Sequence, residues 1–150
     1  MKHKKIITKI YVTLVALITI LALSTIAFAY CMEDNAFSYT SNYAGQVYVT
    51  HRVAKADDSS AIIAYTDGPA MGSTMYVEIW GAKNWNETFV NHTYRRGNGI
   101  TYKYCTVQKG QQAFIPNLVY ETYRTSAFTE LRVYITTTGA VSGKWSPTTR

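Results

Sequence analysis

Charge is scarce in this sequence, and so are the residues from which active sites are usually built. Charged side chains fill 16% of the 150 positions, against roughly 25% in an ordinary soluble domain. Two cysteines, three histidines and three prolines are all that occur. Two cysteines exclude a cysteine-dense scaffold and a four-cysteine zinc site. Neither has a base beside it in sequence, so no catalytic thiol is expected. His51 and His92 lack the His-x-x-x-His spacing of a metal site, and no metal or other cofactor is expected. Asp57, Asp58 and Asp67 border turns, without the repeated Asp/Asn/Gly loop that gathers the six to eight oxygens calcium wants. Beyond Met32 there is no long hydrophobic run, linker, internal repeat or low-complexity tract.

What is present begins with the leader. Lys2, Lys4, Lys5 and Lys9 precede an uncharged run from Ile10 to Met32, with its apolar heart over Ile10 to Leu23. Ala27-Phe28-Ala29 then supplies the small-x-small pattern of a signal-peptidase site. The reading is a signal peptide over residues 1–29, cut after Ala29, and a single secreted domain over 30–150. An uncut anchor is the alternative, because the run could span the roughly 30 Å of a bilayer core. The basic flank would then keep the amino end inside and the domain outside.

Export changes the charge argument. Fifteen lysines and arginines against nine acids give +6; without the four leader lysines, eleven face nine and the net charge is +2. The basic balance belongs to targeting, and no nucleic-acid partner is expected. Both cysteines, Cys31 and Cys105, fall in the exported part, where an oxidising compartment favours a disulfide. That bridge would close a loop of 75 residues, worth about 4–4.5 kcal/mol on the chain-entropy account.

From Phe37 onward the apolar pattern has a period of two, with turn residues every eight to twelve positions. Strands are expected over 36–40, 46–55, 61–66, 73–82, 100–107, 112–115, 118–124, 130–137 and 141–146. On the second of these, Val47, Val49, His51 and Val53 would share the inner face. Met75, Val77 and Ile79 face opposite to Thr74, Tyr76, Glu78 and Trp80, and Leu131, Val133 and Ile135 point inward. Arg95-Arg96-Gly97-Asn98-Gly99 and Lys109-Gly110 read as turns. The fold class is all-β, an antiparallel β-sandwich of eight or nine strands after the signal helix.

The abundant residues are aromatic: 12 of the 13 tyrosines and all three tryptophans lie beyond the leader. Tyr76 and Trp80, two outward positions of one strand, are the candidate binding pair, able to stack on a ligand ring. Glu78, Glu121 and Glu130 are the strand-borne carboxylates a glycosidase would need in a pair. Cross-strand pairing with Arg52, Arg124 or Arg132 accounts for them without catalysis. No catalytic residue is assigned and no enzyme is expected. Arg95, Arg96, Lys103 and Lys109 could gather at one end and meet a cell-wall or surface polymer, or a membrane surface.

Val141-Ser142-Gly143-Lys144-Trp145-Ser146-Pro147, preceded by Leu131-Arg132-Val133, resembles the carboxyl end of an uncharacterised family of small secreted β-rich proteins of Gram-positive bacteria. At the level of size and β-content that family is similar to the lactococcin-972-like bacteriocins. The resemblance implies an exported single β domain and supplies no active residues. The function expected is non-catalytic binding or interaction at the bacterial cell surface. A bacteriocin-like antimicrobial role and a carbohydrate-binding role on Tyr76 and Trp80 are the alternatives.

Overall fold

The structure, a computed structural model, describes residues 35–97, 99–124 and 127–149. The expected signal peptide and Cys31 lie outside the described residues. Twelve strands and one short helix follow in order: β1 (Asn35–Ser41), β2 (Gln46–Val49), β3 (Val53–Lys55), β4 (Ala61–Asp67), β5 (Thr74–Ala82), β6 (Val90–Asn91), β7 (Arg95–Gly97), β8 (Ile100–Tyr102), β9 (Cys105–Gln108), β10 (Gln112–Ile115), α1 (Val119–Tyr123), β11 (Ala127–Ile135) and β12 (Gly139–Ser146). The fold is all-β and every strand pairing is antiparallel.

One sheet runs β1-β12-β4-β10; the other runs β2-β11-β5-β6, with β3 also on β11 and β9 also on β5. β7 and β8 form a separate hairpin, closed through Gly99 at φ +75°, a left-handed conformation that glycine adopts without strain. The central strands of the second sheet are the two with the cleanest alternation. Met75, Val77 and Ile79 on β5, and Leu131, Val133 and Ile135 on β11, are all fully buried. They share one hydrophobic cluster with Phe37, Ile63, Tyr65, Val141 and Trp145 from the first sheet. Each such aliphatic side chain contributes about 1.5–3 kcal/mol by leaving water.

Several expectations are corrected. Residues 46–55 are not one strand. Val49 pairs with Arg132 and Val53 with Thr129, so residues 50–52 stand opposite only 130–131, a β-bulge of one extra residue. Thr50 manages the defect: its N–H donates to the Leu131 carbonyl at 3.0 Å and its Oγ1 accepts from the Leu131 N–H at 3.0 Å. Before the bulge the faces are also reversed, while beyond it Val53 packs against the core as expected. Tyr48 turns toward the core, stacked on Tyr39 at 4.4 Å, while Val47 and Val49 are exposed. His51 is exposed too, and its Nε2 meets Asn35 Oδ1 at 3.0 Å.

Residues 118–124 form no strand. Val119–Tyr123 is a turn of helix ended by Arg124 at φ +52°. Spaced four apart on the helix, Val119 and Tyr123 both pack against the core, and Thr122 Oγ1 donates back to the Leu118 carbonyl at 2.6 Å. The expected strand over 100–107 is two, β8 and β9. The strand count therefore exceeds eight or nine through short pieces that no period could reveal.

Cys105 is buried and carries a free thiol, which burial pushes above its ordinary pKa. The structure thus gives no support to the expected bridge.

Candidate functional site

The outward face of the second sheet carries the polar chemistry. Alternation along β5 sends Tyr76, Glu78 and Trp80 outward, and along β11 it sends Glu130, Arg132 and Tyr134 the same way. Antiparallel register sets Tyr76 opposite Tyr134, Glu78 opposite Arg132, and Trp80 opposite Glu130. On the far side of β5, Thr106 pairs with Tyr76, which brings the β8–β9 connection and Tyr104 alongside. Tyr76, Glu78, Tyr104 and Tyr134 line a hollow of about 320 Å³, near the lower bound of small-molecule sites.

The two glutamates of this face are treated differently. Glu130 is buried, and Arg132 grips its Oε1 with Nε at 3.1 Å and an Nη at 2.9 Å. Arg52 adds a longer contact at 3.5 Å. Arg132 also lies 3.4 Å over the Trp80 ring, and Arg52 sits 4.2 Å over Phe89. Both cations are thereby committed to Glu130 and to aromatic faces.

Glu78 receives neutral donors only. Trp80 Nε1 donates to its Oε2 at 2.6 Å, and the Tyr134 hydroxyl donates to the same oxygen at 2.9 Å. Among the described residues no cation comes within ion-pair distance of it. Burial, and then the hydrogen bond and charge of Glu78, push the Tyr134 phenol up to about 12, so it remains a neutral donor at physiological pH.

The tyrosines form walls. Tyr76 and Tyr104 meet edge to face, 5.2 Å apart at 80°, and Tyr102 buttresses Tyr104 at 6.1 Å and 76°. Tyr76 is 41% exposed. Trp80 is half-buried beneath Arg132, so the expected pair presents one open ring and one capped ring. Tyr104, Tyr134 and the commitment of Arg132 are what the sequence reading missed. Period two shows which residues of a strand point outward, but not which residues of another strand stand opposite.

The remaining candidates are dispersed. Glu121 is on α1 and so is not strand-borne. Lys109 clamps the turn after β4, bonded to Asp67 at 2.9 Å and to the Gly68 carbonyl at 2.7 Å. Arg95 and Arg96 lie over Tyr102 and Tyr94. His92 bonds the Tyr123 hydroxyl at 3.2 Å, and burial, then the charge of Lys103, hold its pKa down. Asp57 accepts from Ser59 N–H and Oγ at 3.1 and 2.6 Å, an ordinary turn. Among the described residues, no three His, Cys, Asp or Glu side chains gather where a metal ion could be held.

Fold and site together define an all-β protein with an acidic, tyrosine-walled hollow on one sheet face. The chain belongs to the family described as "Protein of unknown function (DUF2712)", whose model matches residues 25–149. No curated protein matches it. Among solved structures, "Crystal structure of PirA" is similar at 9% identity and a TM-score of 0.41, covering 76% of this chain and 95% of that one. Infectious bursal disease virus structures of the Gx and Gt strains are similar at 13% and 11% identity, with TM-scores of 0.35 and 0.39. Each covers 77% of this chain, which in turn spans 28% and 30% of theirs.

Proposed function

We propose that this is a secreted, non-catalytic binding protein of the bacterial cell surface, and that its ligand enters the hollow between Tyr76, Tyr104 and Tyr134. The signal peptide over 1–29 delivers the domain outside. There the four-stranded and six-stranded sheets pack face to face as a β-sandwich, a reading supported by the single hydrophobic cluster to which both contribute. One outer face is then left free for recognition.

The observation that carries the reading is Glu78. Its carboxylate sits among three tyrosines with only neutral donors on one oxygen. A carboxylate partly covered and without a direct ion-pair partner suits recognition better than stability, since pairing it with Arg132 would have satisfied the fold. The other glutamate of the face is locked by Arg132 and leaves Glu78 without a carboxylate partner for acid–base work.

Two measurements test this. Protein recovered from the culture medium should begin at Tyr30 by mass spectrometry; recovery in the cytosol with the leader intact would defeat the location. Purified protein should sediment with whole cells of its source organism, and Tyr76→Ala with Tyr104→Ala should abolish that. Unchanged sedimentation by the double variant would remove the hollow from the function.

A further inference from the structure

We propose that the hollow recognises an organic cation, specifically a methylated ammonium group, with Glu78 as its counter-charge. This rests on the binding role just given and adds the chemical class of the ligand.

Three features select the class. The first is charge. Arg132 stands opposite Glu78 in the register, yet its guanidinium is turned to Glu130 and to the Trp80 ring. Glu78 therefore has no direct ion-pair partner among the described residues. The second is the set of hydrogen bonds: both neutral donors converge on Oε2, and Oε1 has no partner among the described residues. A charged oxygen thus remains free, where one carboxylate alone could not assemble the shell a metal cation wants.

The third feature is shape. A sugar ring stacks on a flat, open aromatic surface. Here the open rings beside Glu78 stand at 80° to one another, and Trp80, the indole next to them on β5, is covered by Arg132. Two rings that meet edge to face make a corner in place of a platform, and a corner suits a compact, rounded cation drawn to an aromatic π-face. A quaternary methylated ammonium matches this: it has no N–H to donate, it carries apolar methyl groups, and its charge is diffuse enough to leave water cheaply.

Choline chloride serves as the probe, titrated into the purified protein by calorimetry and by the shifts of labelled tyrosines. Its uncharged isostere, the alcohol with a quaternary carbon in place of nitrogen, controls for shape. Methyl glucoside is the sugar arm. Saturable binding of choline is expected, with Tyr76 and Tyr104 resonances moving and the isostere at least about tenfold weaker. Glu78→Gln, whose amide oxygen still accepts from Trp80 and Tyr134, should weaken choline about tenfold. Tyr104→Ala, at an exposed position that carries little folding risk, should weaken it about three- to tenfold.

Equal binding of the isostere, unchanged affinity in Glu78→Gln, or no saturable choline binding would overturn the proposal. Methyl glucoside moving the same tyrosines in place of choline would also overturn it, while leaving the hollow as the binding site. Loss of cell sedimentation in the tyrosine variants together with no choline binding would separate failure of this inference from failure of the role itself.

Discussion

Lys55 is the side chain whose position is hardest to hold. It is fully buried on β3, where Nζ donates to the Ser59 carbonyl at 2.5 Å and the Pro147 carbonyl at 2.7 Å and sits 3.5 Å from Asp57. Desolvation pulls its pKa below that of a free lysine, against the charge of Asp57. The native state therefore binds this proton less tightly than the unfolded chain. Stability from this group rises with pH, from the lowered native value toward the unfolded value near 10.4. Lys55→Met removes that slope and leaves two buried carbonyls unpaired, for a loss of about 1–3 kcal/mol. Urea titrations of both proteins at neutral and alkaline pH read both effects; parallel pH dependences would contradict the account. Tyr134 gives a second residue-scale expectation. In Glu78→Gln its pKa should fall from about 12 but stay above the ordinary value near 10, because the charge is lost while burial, the largest cause, and the hydrogen bond to the amide oxygen remain. The ring-carbon shift of labelled Tyr134 follows that titration directly.

At the scale of elements, the bulge between β2 and β3 depends on one hydroxyl. Thr50→Val keeps the shape but leaves the Leu131 N–H buried without an acceptor, at a cost of about 1–3 kcal/mol. Thr50→Ser keeps the oxygen and should cost clearly less. A shift in urea midpoint for valine alone, with unchanged slope, is the expected pattern. The bulge also marks where the sequence stops being legible. Strands β4, β5, β11 and β12 follow from their own residues, because Met75-x-Val77-x-Ile79 and Leu131-x-Val133-x-Ile135 alternate without interruption and both faces are decided locally. Residues 46–55 alternate as cleanly, yet the extra residue is imposed by Leu131 on the partner strand, and Tyr48 wins the inner face by stacking on Tyr39. Over 118–124, Val119 and Tyr123 are β-formers by habit. They become a helical pair because a tight turn packs them under Gly81, where any side chain would meet Val119. The hollow was half readable for the same reason: Tyr76 and Glu78 share a strand, whereas Tyr134 and Tyr104 arrive through register.

For the whole molecule, the order of strands decides when folding can finish. β12 lies between β1 and β4 in its sheet, so Asn35 pairs with Trp145 and Ile63 pairs with the same tryptophan. The buried Lys55 bonds the Pro147 carbonyl across the same span. Neither the first sheet nor the core around Trp145 can close before the last strand is available. Such non-local pairing is slow, in the millisecond-to-second range for all-β domains, because loop-closure entropy comes due before the contacts that offset it. On the export proposed above, that delay would keep the chain extended while it crosses the membrane. Refolding from urea, followed by tryptophan fluorescence, should accordingly take milliseconds to seconds. A chain ending at Thr138, which keeps every strand but β12, should show no cooperative urea transition. Submillisecond refolding, or a sharp transition in the shortened chain, would mean that the body of the protein forms without β12 and that strand order does not set when folding can finish.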